Sequence, residues 1–187
     1  MEVIVESTPV FSEKTKSHAW TATQVVLGSL FLAALAQVSI PLYPIPMTLQ
    51  TLGIFLLAIG QGGKKASYSS LLYLALAAFG LPVLAGGVSN SLWIALPSAG
   101  YLIGFPIASF VIGKMVRMRE NPSALWMMGS VLVGQLIIYT LGVAGLTRIL
   151  SFEQSMMVGL VPFLPLAGVK LLMASSIGGF WIRFKKR

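Results

Sequence analysis

The chain has 187 residues, of which 56% are hydrophobic and 10% are charged, with a mean hydropathy of +0.87. An ordinary soluble domain has roughly 25% charged residues, so the composition predicts an integral membrane protein, and the formal net charge of +8 reflects membrane topology rather than binding of nucleic acid. Cysteine and aspartate are both absent from the sequence, and every glutamate lies outside the apolar segments. We therefore expect no enzyme, no metal site and no cofactor.

The first 18 residues are polar and acidic, and they lack the basic and then apolar order of a signal peptide. We predict that residues 1–18 form a poorly ordered cytoplasmic leader and that residues 19–187 form a single membrane domain. The apolar segments of that domain predict an all-α fold, a compact bundle of six transmembrane helices. The predicted helices cover residues 21–40, 47–59, 66–79, 97–112, 124–146 and 155–182, the last interrupted near Pro162 and Pro165.

Small residues mark one face of the first predicted helix. Ser29 and Ala33 have the small-xxx-small spacing that lets another helix approach closely. This face either docks a partner subunit or packs inside the bundle. Prolines 41, 44 and 46 then end the helix, and Thr48 and Gln50 follow in the first turn of the second helix, where they can cap free amides or contact a ligand.

A string of glycine and apolar residues follows the third predicted helix. It contains Gly86, Gly87 and Asn90 and continues to residue 96. Irregular apolar backbone at membrane depth is tolerated only where it is buried or lines a cavity, so this stretch predicts a re-entrant outer loop or a pocket wall. Gly100 then pairs with Gly104 in a GxxxG motif beside Tyr101, which admits a helix or a ligand at close range.

The basic residues predict the orientation of the chain. Only Arg148 lies on the side that receives the first, third and fifth connections. The opposite side, which carries both termini, holds Lys14, Lys16, Lys64, Lys65, Lys114, Arg117, Arg119, Arg183, Lys185, Lys186 and Arg187. The positive-inside rule therefore predicts cytoplasmic termini in the plasma (inner) membrane.

Lys170 lies in the middle of the uncharged sixth segment. A lysine at the centre of a membrane helix costs about 2.5–3.5 kcal/mol on insertion scales. Its partner is a distant residue, a backbone carbonyl, a water-filled cavity or an anionic ligand, unless the side chain snorkels to an interface. We favour the ligand, because a buried cation in a bundle with irregular outer loops suits capture of a small, largely apolar anion.

Four sequence blocks, followed by Lys170, resemble signature blocks of BioY, the biotin-specific S component of energy-coupling factor (ECF) vitamin transporters. The blocks are PMTLQTL at 46–52, GLPVLAGG at 80–87, PSAGYLIGF at 97–105 and PFLP at 162–165. The resemblance implies a six-helix protein that binds biotin or a close analogue in the lipid bilayer. Its implied partners are a membrane coupling protein and two ABC-type ATPases, with solitary action or self-association as the alternative. The face around Ser29 and Ala33 resembles the surface by which S components meet the coupling protein.

On this basis Lys170 is expected to hydrogen-bond the ligand carboxylate or ureido carbonyl. We also expect further polar contacts from Thr48, Gln50, Asn90 and Tyr101, and close backbone approach of the ligand at Gly86, Gly87 and Gly100. The chain departs from the family pattern in helix six, where Leu166 and Ala167 replace a Gly-Asp pair and Lys170 loses its usual acidic neighbour. Asn90, Gln135 and Ser98 are the candidate substitutes for that carboxylate.

Two alternative functions remain open at this point. One is a stand-alone facilitator or secondary transporter, although internal repeats and intramembrane acids are not visible in the sequence. The other is a non-transporting structural subunit of a membrane complex, in which Lys170 only pairs across helices. Gln135 and Tyr139 lie at i and i+4 on one face of the fifth helix, which favours hydrogen bonding between helices.

Overall fold

The structure is a computed structural model that describes residues 13–184. Within that range the chain is a bundle of α-helices with one two-stranded ribbon, which confirms the predicted all-α class. The elements are α1 (Glu13–Gln37), β1 (Ser39–Ile40), β2 (Met47–Thr48), α2 (Gln50–Gln61), α3 (Gly63–Ala78), α4 (Ala99–Arg117), α5 (Ala124–Leu146), α6 (Phe152–Gly159) and α7 (Leu164–Phe184).

The first helix and the start of the second differ from the prediction. Helix α1 begins at Glu13, so part of the predicted leader is helical, while residues 1–12 lie outside the described range. After α1 the chain forms a short antiparallel ribbon in which Ser39 pairs with Thr48. The prolines between the two strands cannot continue a helix. Thr48 therefore lies in β2, just before α2 begins, and its hydroxyl accepts the backbone N–H of Gln50 at 3.3 Å.

The predicted sixth helix is two helices, α6 and α7, separated by a 3-10 turn at Val161–Phe163. Pro162 lacks a backbone N–H and disfavours helical geometry in the residue before it, which accounts for the break. Helix α6 begins earlier than predicted because Ser151 and Gln154 form a reciprocal capping box. The predicted interruption near Pro162 is therefore present, and α7 carries Lys170 into the bundle.

Within the described range, four segments are long and apolar enough to cross a membrane: His18–Gln37, Ala99–Arg117, Ala124–Leu146 and Phe152–Phe180. Helices α2 and α3 are shorter, with 12 and 16 residues. A full span needs about 20 residues, so α2 and α3 are shorter than a full span by length. All six predicted segments are helical, which agrees with the predicted all-α membrane bundle.

Helix α4 lies at the centre of the bundle and packs against α5, α3 and α2. Helix α7 packs on α5 and α2, and α1 packs on α3 and α2. The core includes the fully enclosed side chains of Phe55, Tyr73 and Ile138, whereas the outer surfaces expose large apolar side chains such as Leu125 and Leu172. An apolar exterior of this extent is the surface expected of a protein embedded in lipid.

The small-residue face of α1 points into the bundle. Ser29 is 0% exposed and its hydroxyl donates to the carbonyl of Val26, while Ala33 packs against the core. Gly28, next to them, leaves room for Ser69 of α3, which would overlap with an added Cβ. The structure therefore shows internal packing at Ser29, and docking of a partner subunit on the face around Ser29 and Ala33 stays a prediction.

Gly100 allows α4 and α5 to approach closely. A Cβ built on Gly100 would overlap with the carbonyl oxygen of Leu141, and a Cβ on Gly142 would overlap with the ring of Tyr101. Of the two roles predicted for Gly100, a helix neighbour or a ligand at close range, the structure shows the helix neighbour. The absence of a side chain at this point sets the spacing of the two central helices.

This packing predicts the effect of Gly100→Ala. We expect the fold to lose about 1–3 kcal/mol of stability, because an added methyl in a close-packed contact forces the backbones apart. Thermal unfolding of the purified protein in detergent measures the change. Gly129→Ala in α5 is the control, since no atom lies within 4 Å of its added Cβ, and it should be neutral or slightly stabilising. Equal melting temperatures for the two variants would contradict the assignment.

Candidate ligand-binding site

A cavity of about 220 Å³ lies among the ends of several helices on one side of the bundle. The connection between β1 and β2, the start of α2 and the connection from α3 to α4 form its walls, and α3, α4, α5 and α7 contribute side chains. Four of the predicted site residues line this cavity: Thr48, Gln50, Tyr101 and Lys170. Residues that are far apart in the sequence therefore meet at one cavity.

Lys170 faces this cavity and is 7% exposed. Its side-chain nitrogen donates to the backbone carbonyl of Thr48 at 2.7 Å and to the hydroxyl of Thr51 at 2.9 Å. The nitrogen is thus held by a carbonyl and a hydroxyl, not by snorkelling to an interface. A protonated lysine has three N–H donors, so the two bonds seen in the described structure leave one donor for a ligand.

A chain of hydrogen bonds crosses the cavity wall from the start of α2 to the connection between α3 and α4. The Thr48 hydroxyl donates to Gln50 Oε1 at 3.1 Å, and Gln50 Nε2 donates to the hydroxyl of Tyr73 at 2.7 Å. The Tyr73 hydroxyl donates in turn to the carbonyl of Val83 at 3.1 Å. The amide of Gln50 is therefore satisfied at both ends, and the chain of bonds fixes the position of the connection after α3.

Aromatic rings form the opposite wall. The ring centroid of Phe163 lies 6.1 Å from that of Tyr101, in a stacked arrangement, and 6.4 Å from that of Tyr139. The Tyr101 hydroxyl donates to the carbonyl of Gly159 at 2.6 Å, so its polar end is used within the protein. We therefore infer that Tyr101 offers a ligand mainly its ring, rather than the polar contact expected from the sequence.

Gly86, Gly87 and Asn90, in the connection from α3 to α4, do not line the cavity. Gly100 does not line it either. Gly86 and Gly87 have φ angles of 67° and 74°, a conformation that glycine adopts without strain, and they shape the turn after Leu84. The Asn90 side-chain oxygen accepts the backbone N–H of Leu92 at 2.9 Å. The structure therefore gives these three residues roles in the loop, while Leu84, Ala85 and Val88 form the wall itself.

Sequence reasoning missed several lining residues, above all Tyr73, Thr51 and Phe163. Tyr73 is 0% exposed and connects two elements of the site. A tyrosine in the middle of an apolar helix was the available signal, since its hydroxyl needs a buried partner. Thr51 and Phe163 lie within the blocks that carry the family resemblance, but nothing in the sequence shows that they face inward.

Polar and apolar groups are separated within the cavity. Lys170, Thr48, Thr51 and Gln50 lie at one end, and the aromatic wall provides an apolar surface. No carboxylate lines the cavity in the described range. Such a site suits a small molecule that has an apolar body and a group able to accept a hydrogen bond from lysine.

Comparison with protein families matches residues 11–186 to the BioY family. The chain is 36% identical over 167 residues to a protein of Thermotoga maritima described as a biotin transporter, covering 87% of this chain and 96% of that protein. It is 42% identical over 127 residues to a biotin transporter of Rhodobacter capsulatus, covering 66% of this chain and 67% of the other.

A solved structure has the same fold. It is described as the S-component for biotin from an ECF-type ABC transporter, and it aligns with a TM-score of 0.78 at 26% identity. The alignment covers 92% of this chain and 94% of that one. The family match over nearly the whole length, the related sequences and the shared fold agree with the blocks that surround the cavity. The chain belongs to the BioY family.

Proposed function

We propose that this chain binds biotin in the cavity and acts as the substrate-binding S component of an ECF-type transporter. The observation that carries the proposal is the buried Lys170 at one end of a largely apolar cavity. Biotin combines an apolar ring system and chain with a carboxylate and a ureido group. The aromatic wall suits the apolar part, and the free donor of Lys170 suits the carboxylate or the ureido carbonyl.

Size supports a ligand of this class. The cavity of about 220 Å³ is smaller than the roughly 300–1,000 Å³ of sites for drug-sized ligands. We infer that the protein is a carrier component and not an enzyme, because the lining offers contacts but no nucleophile paired with a base.

Orientation is part of the proposal. We place both termini and the basic connections on the cytoplasmic side of the plasma membrane, as the positive-inside rule predicts. Lys64, at the start of α3, and Lys114, near the end of α4, are exposed at one end of the bundle. The cavity, formed by the opposite connections, then faces the outside. We also retain residues 19–187 as one membrane domain, with α1 beginning inside the predicted leader.

Replacing Lys170 tests the site. We expect Lys170→Met to weaken biotin binding about 10- to 150-fold, because hydrogen bonds to charged groups contribute about 1.5–3 kcal/mol. Equilibrium binding of biotin to the purified protein in detergent measures the effect. Lys114→Met, which removes an exposed lysine near the end of α4, is the matched control and should leave affinity unchanged. Undiminished affinity in a folded Lys170→Met variant would refute the assignment of this lysine.

The hydrogen bonds of Tyr73 predict an effect on the rate of ligand release. Tyr73→Phe removes the bonds to Gln50 and Val83 and should speed biotin dissociation about 5- to 30-fold, since each lost buried bond costs about 1 kcal/mol. Release of labelled biotin after dilution measures this rate. Tyr68→Phe is the control in the same helix, because Tyr68 is 54% exposed and should release biotin at the wild-type rate. An unchanged rate in Tyr73→Phe would show that the wall does not depend on these bonds.

The energy source needs its own experiment. We infer that the chain works with a membrane coupling protein and two ABC-type ATPases, because the solved structure that shares its fold is described as an S-component from an ECF-type ABC transporter. Proteoliposomes containing the chain alone should bind biotin without accumulating it. Those that also contain the coupling protein and ATPases should accumulate biotin when ATP is supplied. Accumulation by the chain alone would instead favour the stand-alone facilitator.

A further inference from the structure

Ser98, directly before α4, lines the cavity with a hydroxyl that the protein does not use. The residue is partly buried and belongs to the cavity lining. Its side chain makes no capping hydrogen bond with α4, and its hydroxyl has no hydrogen-bond partner in the part of the chain that the structure describes. A serine hydroxyl can donate one hydrogen bond and accept two, so this group is available to a bound molecule.

Helix capping does not account for the serine at this position. Ser123 and Ser151 precede α5 and α6 with extended backbone, and their hydroxyls accept the backbone N–H groups of Trp126 and Gln154. That is the usual geometry of a capping serine. Ser98 instead has helical backbone angles and caps none of the first amides of α4. Its hydroxyl is therefore left to the cavity.

Most other hydroxyl and amide side chains of the lining already bond within the protein. These are Thr48, Gln50, Thr51, Tyr73 and Tyr101. Tyr139 also brings a hydroxyl to the cavity, and its ring lies against Phe163. A phenol oxygen is a poorer acceptor than a serine oxygen, because one of its lone pairs is delocalised into the ring. Ser98 is therefore the better acceptor of the two.

The cavity needs such an acceptor if its ligand carries N–H groups. Lys170 has N–H donors and no acceptor, and no carboxylate lines the cavity in the described range. Asn90 and Gln135, which could also accept through their amide oxygens, do not line it. A ligand N–H that loses water without gaining a partner weakens binding. The Ser98 oxygen can supply that partner without breaking a bond inside the protein.

We propose that Ser98 is a specificity-determining residue that accepts a hydrogen bond from an N–H group of the ligand. This inference rests on the proposed function, with the ureido ring of biotin supplying the N–H. Lys170 then donates to an acceptor group of the ligand, while Ser98 accepts from its donor. The hydroxyl rotates so that its own hydrogen points away from the ligand N–H. The cavity thereby favours a ligand that carries both kinds of group.

The test compares Ser98→Ala with wild type, using biotin and an analogue in which CH2 replaces both ureido N–H groups. The analogue has nearly the same volume but no N–H donor. Affinity of Ser98→Ala for biotin should fall about 3- to 10-fold, the effect of losing one neutral hydrogen bond. Affinity for the analogue should not change, so the preference for biotin shrinks by the same factor. The melting temperature without ligand should stay the same, because no bond within the protein is lost.

Three further variants separate this role from others. Ser91→Ala removes an exposed serine hydroxyl from the same connection, outside the cavity lining, and should change neither affinity. Ser98→Thr keeps a hydroxyl and should keep the preference. Tyr139→Phe removes the alternative hydroxyl and should alter both affinities alike, so that the preference is again kept.

Four outcomes would overturn the inference. One is an unchanged preference in Ser98→Ala while wild type binds biotin, in which case the proposed function stands. Another is loss of the preference in Tyr139→Phe but not in Ser98→Ala, which identifies Tyr139 as the acceptor. If Ser98→Ala does not fold, a wild-type protein that binds biotin and the analogue equally well decides against the inference. A wild-type protein that binds no biotin removes the proposed function as well.

Discussion

The contact of Lys170 with the start of α2 is the interaction on which the site depends. The two hydrogen bonds from its side-chain nitrogen join residues separated by 122 and 119 positions in the chain, and so connect α7 to the segment that leads from β2 into α2. A lysine in an apolar bundle is tolerated only where polar groups surround it. Here a strand carbonyl and a threonine hydroxyl meet that need, and the same arrangement places a remaining donor at the cavity. One side chain thus joins α7 to the start of α2 and also faces the cavity.

The rest of the site forms where the irregular connection after α3 is hydrogen-bonded to side chains of α1 and α3. The connection after α3 has local backbone hydrogen bonds, such as Leu84 with Val88, and Gln37 and Tyr73 also bond to its carbonyls at Leu84 and Val83. Glycines 86 and 87 let the chain turn without strain. This wall of the cavity is therefore attached to the neighbouring helices by side-chain hydrogen bonds, which makes it easier to displace than a helix.

The sequence predicted the features that depend on composition and local pattern. The helical class follows from hydropathy and the break near Pro162 follows from proline chemistry. The isolated charge of Lys170 singled out a residue that the structure places at the cavity. The sequence could not predict which part of the fold each residue faces. Ser29 and Gly100 have the small size that suits a partner or a ligand, but only the packing of α1 on α3 and of α4 on α5 shows that they face other helices. The place of Tyr73 in the site was missed for the same reason, because the partners of its hydroxyl come from α2 and from the connection after α3.

The shortness of α2 determines how deep the cavity lies. A helix of 12 residues rises about 18 Å, whereas the hydrocarbon layer is about 30 Å thick. If the end next to Lys64 is level with the inner interface, the first residues of α2 lie roughly 10 Å beneath the outer one. In the orientation that we propose, a solute bound there lies beneath the outer interface, and the distance to the opposite face is reduced by about a third.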